Sequence, residues 1–382
     1  MKVVMSTPYA YPFSGYAGAE RYVHWLSKYL VKAGCEVKII TSPDTKDRKD
    51  LTHDGIQYEF LGPPIPTYKK IAWLYHYGFQ INLARRLRDT DFDILHSYHL
   101  TSYMYLHMAR RKPVIIEPFG LGRLCEVDLP EVDRMFRGIV LKRPLVYCAQ
   151  HCEAIAAEGD TQAEELSRLL GVSRDKIFNL PDGVELDIIR DHVAASAITR
   201  ADIGIDDVDL VLINVNRLDH NKGVSYLIDA LSMLDINARL ILVGSGPEWP
   251  KIEKQIDRLG LTNKVHHYEN IPDHLMYQLY TLADISVTPT LWEGLPLVML
   301  EAMATGRAIV ATNISDIPNV IKGNGILVPP GDATAIRDAV LKIYQEQTAG
   351  DMGRESLRLI QEYDWQLTAR KALDKYKEVL GA

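Results

Sequence analysis

The sequence predicts an α/β protein of two doubly wound parallel-sheet domains. Short β-branched runs alternate with amphipathic helical segments along nearly the whole chain. Parallel sheets covered by helices on both faces impose that rhythm. At 382 residues the chain is too long for one comfortable core. The alternation also pauses at 181–207, PDGVELDIIRDHVAASAITRADIGIDD, which is turn-rich and then polar. Domains are therefore placed at 1–200 and 201–362.

In the first half KVVMS, EVKIIT, FDILHS, PVIIEP, LVYCA and KIFNL read as strands. Between the first two, AERYVHWLSKYLVKAG has helical apolar spacing and ends at a glycine. The second half restarts with VDLVLINVN, ARLILVGSG, KVHHYEN, ADISVTP, RAIVAT and GILVPP. The last segment, YDWQLTARKALDKYKEVL, is a helix whose Trp365 and Leu367 need a surface to pack on.

Composition excludes several classes. No apolar run approaches the roughly 20 residues that span a bilayer. The N-terminus lacks a charged leader and cleavage site, so a cytoplasmic protein is expected. Residues 1–180 hold 24 Lys+Arg against 21 Asp+Glu (+3), leaving 43 − 24 = 19 against 50 − 21 = 29 (−10) for the rest. That balance argues against nucleic acid as a partner. It lets a mildly basic first half approach an anionic surface. Four cysteines make no disulfide framework. Cys148, His151 and Cys152 in CAQHC lack a second ligand pair, so they read as core and no metal is assigned.

The chemistry points to WEGLPLVMLEAMATG, an apolar stretch with Glu293 and Glu301 eight positions apart. An unpartnered buried carboxylate costs several kcal/mol, so a ligand is the economical explanation. Pro296 suits a helix start and Gly306 a helix end. Glu293 and Gly294 then lie in the loop at the carboxyl end of a parallel strand, where open α/β sheets bind ligands. Free N–H groups around Leu297 and Val298 make an anion site. Glu301, in a helix apolar nearly all round, should be largely buried. NVNRLDHNKG adds Arg217 and Lys222 after the domain's first strand, cations suited to a diphosphate. In LVGSGPEW, Gly244 and Gly246 permit close backbone approach but lack the third glycine of a dinucleotide fingerprint.

Taken together, E-x7-E in EGLPLVMLEAMATG, NRLDHNKG, LVGSGP and the early AGAE (17–20) resemble the large family four of retaining glycosyltransferases. This family includes sucrose, trehalose and phosphatidylinositol mannosyl transferases. The resemblance runs end to end. It implies the GT-B arrangement, two Rossmann-like domains facing across a cleft, with the last helix (363–382) crossing back to the first. It implies a metal-independent, retaining hexosyltransferase using a nucleoside-diphosphate sugar, UDP-linked before GDP-linked, and no further cofactor. Arg217 and Lys222 would hold the diphosphate, Glu301 the ribose and Glu293 the sugar hydroxyls. The backbone from Gly294 and Leu295 through Pro296 to Val298 would surround sugar and phosphate, its N–H groups as donors. Gly18 would close on the phosphate side.

His96, at the end of a first-domain strand, is expected to touch sugar or acceptor. Phe119 stands in PFG where many relatives read PHG, and Glu117 just before it is the candidate to compensate. DFD (91–93) precedes its strand and reads as strand-start solvation rather than a metal motif. The acceptor is expected to be a glycan or lipid-linked glycan. Segments 66–88 and 134–144 mix aromatic and basic residues, so they suit either peripheral contact with the membrane's inner face or ordinary core packing. A catalytically silent nucleotide-sugar binder and a sugar-nucleotide epimerase are the rival readings.

Overall fold

The computed structural model describes residues 1–14, 18–65, 72–119, 138–195 and 198–381. These residues form two compact units, Met1–Asp182 with Trp365–Ala382, and Gly183–Asp364. The division falls at 182/183 rather than the expected 200/201. Val184 pairs in parallel with Asp364. Leu186 and Ile189 of the following helix join the core of the second unit, beside Met299 and Leu300.

The first unit is built on an eight-stranded sheet, ordered β3-β4-β2-β1-β5-β6-β7-β8. Its strands are β1 (Lys2–Ser6), β2 (Glu36–Thr41), β3 (Leu51–His53), β4 (Ile56–Phe60), β5 (Ile94–Tyr98), β6 (Val114–Glu117), β7 (Ala154–Ala157) and β8 (Ile177–Asn179). All pairings are parallel except β3 with β4. Helices α1 (Gly18–Lys32), α2 (Ala72–Arg86), α3 (Tyr103–Met108), α4 (Arg143–His151) and α5 (Asp160–Leu170) connect them.

The strand expected at LVYCA is part of α4. Pro144 lies in the first turn of that helix, which follows directly on a π-helical turn at Gly138–Lys142, and Leu145, Cys148 and Ala149 are buried at helical spacing. Burial pushes the Cys148 and Cys152 thiols up to about 12. Asp91 and Asp93 sit at the start of β5 and bond Lys2, the ammonium at 2.6 Å and the amide at 2.8 Å.

The last helix of the chain, Trp365–Leu380, belongs to this unit and lies against α1. Trp365 is fully buried, its ring 5.3 Å from that of Tyr22. Burying such a side chain contributes about 2–3 kcal/mol.

The second unit has six parallel strands ordered β11-β10-β9-β12-β13-β14. They are β9 (Leu210–Val215), β10 (Ala238–Val243), β11 (Val265–Tyr268), β12 (Ile285–Thr288), β13 (Ala308–Thr312) and β14 (Gly325–Val328). β9 is apolar on both faces except for Asn214, and every residue in it is buried. Such a strand suits the middle of a sheet covered by helices on both sides. The order reverses between β9 and β12. At that switch point the flanking loops diverge and leave room outside the carboxyl ends of the strands. Among the described residues no helix is long and apolar enough to cross a membrane.

Candidate functional site

The loops after β9, β10 and β12 meet at that switch point. The loop after β9 ends in a short turn, His220–Lys222, followed by Gly223 at φ 65°. A Cβ on Gly223 would come 2.0 Å from the Pro289 carbonyl oxygen, so only glycine lets the two loops approach this closely. The contact is laced by the Asn221 carbonyl, which accepts from Leu291 N–H at 2.7 Å and from the Thr290 hydroxyl at 3.0 Å. Gly244 is held likewise against the Asn216 carbonyl, which a Cβ would meet at 1.8 Å. Just beyond Ser245, whose carbonyl accepts from Leu218 N–H at 2.9 Å, comes Gly246.

This framework brings Lys222 onto Glu293, the ammonium donating to Oε1. The lysine side chain is 14% exposed and the glutamate 24%. Glu293 Oε2 is buried with no hydrogen-bond partner. Half of this carboxylate is therefore neutralised while the other half is available to a hydroxyl donor. Leaving such an oxygen unmade costs about 1–3 kcal/mol. Arg217 stands apart from this pair. Its side chain is 61% exposed and rests on Asp219 at 2.5 Å. Trp292, half exposed, lies 6.0 Å from His220 at the rim of the same loops.

Beyond Gly294 and Leu295, the helix Leu297–Ala304 begins with Pro296 as its N-cap, one place earlier than a first-turn proline. No side chain caps it. The amides of Leu297 and Val298 have no carbonyl earlier in the helix to bond, and the helix dipole favours an anion there. Gly306 follows the helix at φ 76°. Glu301 is half-buried rather than largely buried. Tyr277 donates to its Oε1 at 3.5 Å.

The first-unit candidates fare differently. Gly18 is the exposed first residue of α1, with space around its Cβ position; Ala17 lies outside the described residues. His96 is corrected. It is fully buried, with Nδ1 2.7 Å from the Tyr376 hydroxyl and its ring stacked on Tyr98. The last helix covers that face of β5, so the imidazole meets core rather than substrate. Burial lowers its pKa to about 3.

Glu117, the suggested compensator, is corrected for the same reason. Burial and the nearby Asp182 raise its carboxyl well above the usual range. Its Oε2 is 3.3 Å from His96 Nε2. That contact lacks hydrogen-bond geometry, and His96 Nε2 and both Glu117 oxygens are buried without a partner. Phe119 stacks on Tyr98, ring centroids 5.6 Å apart. His99, in the loop after β5, is the half-buried histidine at this strand end, with a strained φ of 58°. The first parts of segments 66–88 and 134–144 (66–71 and 134–137) and Gly120 lie outside the described residues.

Gly223 and Asn221, which set the site's geometry, were missed by sequence reasoning. The glycine directly after Lys222 was the available signal.

Comparison with known proteins identifies the family and the fold. Residues 16–188 match the family profile Glycosyltransferase Family 4, and residues 196–360 match Glycosyl transferases group 1. D-inositol 3-phosphate glycosyltransferase of Paenarthrobacter aurescens is 25% identical over 402 residues, covering 98% of this chain and 97% of that one. Among solved structures, sucrose-phosphate synthase of Thermosynechococcus elongatus superposes with a TM-score of 0.85 at 20% identity, covering 100% and 99% of the two chains. Anabaena HepE in complex with UDP-glucose gives a TM-score of 0.76 at 18% identity, over 99% and 100%.

Proposed function

We propose, for a chain that belongs to the glycosyltransferases of GT-B fold, a retaining, metal-independent hexosyl transfer from a nucleoside-diphosphate sugar to a hydroxyl. The observation that carries the reading is the Lys222–Glu293 pair, with its one unpartnered carboxylate oxygen beside an uncapped helix N-terminus. A sugar hydroxyl satisfies that oxygen, and a diphosphate satisfies the free amides and the nearby cations.

Arg217 and Lys222 hold the diphosphate, and Glu301 accepts from the ribose. Glu293 accepts from the transferred sugar. Gly244, Gly246 and the N–H groups of Leu297 and Val298 frame the phosphates. Lysine, arginine and helix amides aimed at the developing phosphate charge lower the barrier to departure of the nucleotide. The leaving phosphate then takes the acceptor's proton while the hydroxyl attacks the same face, which keeps the anomeric configuration. Uridine is the favoured base, supported by HepE with UDP-glucose.

The acceptor is a glycan or lipid-linked glycan, met in the cytoplasm at the membrane's inner face. Leu74 and Tyr75 are exposed on α2, whose last turn carries Arg85 and Arg86. Proton NMR of the glycoside formed, with chelator and then manganese added, tests the mechanism. Retained configuration and unchanged rate are expected; inversion, or a rate that rises with manganese, would refute it.

A further inference from the structure

The β3–β4 hairpin turns through Asp54 and Gly55, both at positive φ (50° and 77°). Asp-Gly in a two-residue turn suits this geometry. A Cβ on Gly55 would lie 3.0 Å from Val31 Cγ1, so the hairpin tip sits directly on α1. The packing holds His53 and Asp54 over His24. One ligand atom from each of His24, His53 and Asp54 lies within 4.8 Å of the others.

A hydrogen-bond chain runs behind His24. Its Nδ1 lies 2.7 Å from the Tyr58 hydroxyl, which donates to the Tyr11 carbonyl at 3.3 Å. A hydroxyl carries a single proton. That proton can go to Nδ1; with an ion on Nε2 the imidazole proton sits on Nδ1 and Tyr58 accepts it. Nε2 faces Asp54 Oδ2 at 3.3 Å, a span that Nε2–H bridges when no ion is bound. With zinc bonds near 2.0–2.2 Å, the edge of a tetrahedral site is also about 3.3 Å. Lys28 is the other cation nearby, 3.8 Å from Oδ2. Its ammonium also lies 4.1 Å over the Trp25 ring, a seat it keeps if Asp54 turns to a metal.

We propose that His24 Nε2, His53 and Asp54 bind a divalent metal ion of the zinc class, clipping the β3–β4 hairpin to α1. Tyr58 is the positioning residue that accepts from Nδ1–H once the ion is bound, as second-shell partners of metal-bound histidines do. The site is structural and separate from sugar transfer, which the second unit's loops support. Water fills the remaining coordination position, since Asp54 is exposed and His53 only half-buried.

The test uses the full chain, untagged, reduced and stripped with EDTA. Zinc uptake is followed by competition with a chromophoric chelator, and the melting temperature is recorded with and without zinc. Uptake of one equivalent is expected, with a rise in melting temperature, because a ligand held only by the folded state stabilises it. Tyr58→Phe should weaken zinc binding about tenfold to a hundredfold. His53→Ala and Asp54→Asn should weaken it further while melting like the wild type in EDTA. Asparagine tolerates the positive φ at this turn, so the fold is kept. No uptake by the wild type, or uptake unchanged in His53→Ala and Asp54→Asn, would overturn the proposal.

Discussion

Removing Lys222 separates the structural and chemical roles of its pair with Glu293. In Lys222→Ala the carboxylate keeps a buried, unpartnered Oε2 and loses the cation on Oε1. Both side chains are mostly buried, so solvent screens the pair only partly. Orphaning a charged acceptor under these conditions costs about 1–3 kcal/mol. In Lys222→Ala/Glu293→Ala the uncompensated charge is gone, and most of that loss should return. A cycle measured by urea unfolding should therefore give a coupling energy of about 1–2 kcal/mol. Turnover should behave oppositely. Each single variant should lose at least about tenfold in kcat, or about 1.4 kcal/mol of barrier, and the double variant should recover none of it. Additive stabilities would refute the ion-pair argument. Full turnover in Lys222→Ala would refute its role on the diphosphate.

Glu301→Gln should weaken nucleotide binding about tenfold, the loss of one charge-assisted hydrogen bond, read by isothermal titration; unchanged affinity would remove Glu301 from the ribose. Gly223→Ala, with its Cβ 2.0 Å from a backbone oxygen, should destabilise by more than about 1 kcal/mol and raise KM, seen by melting and kinetics. Glu117→Gln should raise stability above about pH 4.3, because the folded carboxyl keeps its proton where the unfolded one has lost it. Its folded pKa is raised, so the folded chain binds the extra proton. That contribution is complete below an ordinary carboxyl pKa of about 4.3 and is lost as pH rises towards the folded value, at up to about 1.4 kcal/mol per unit. Below about pH 6.5 the depressed His96 pulls the other way. The glutamine variant should therefore show a flatter stability curve as pH rises from about 6.5, where His96 no longer contributes, measured by denaturation.

Local patterns made much of the second unit legible. Its six strands follow apolar runs, and Gly306 ends its helix, because these features depend on neighbours in sequence. The loops of the candidate site could be singled out for the same reason, since Glu293, Lys222 and the glycines come in short motifs. What escaped depends on distant chain. His96 looked like a strand-end ligand, but its partner Tyr376 lies 280 residues away on the last helix. Strand alternation says that a residue faces one side of the sheet, and not what covers that side. Likewise His24 and the hairpin at Asp54 meet only through packing on α1. LVYCA misled because a short apolar run suits strand and helix alike, and Pro144 was the cue for the helix.

The most direct test of the central claim is donor consumption. Purified protein is incubated with UDP- and GDP-sugars and released nucleotide is followed over time, beside Glu293→Ala. Steady release from the UDP-sugar, abolished in the variant, is the result expected of a transferase whose sugar is held by Glu293. Release at the same rate from Glu293→Ala would contradict it, as would tight nucleotide binding with no release in the presence of glycan and lipid-linked acceptors.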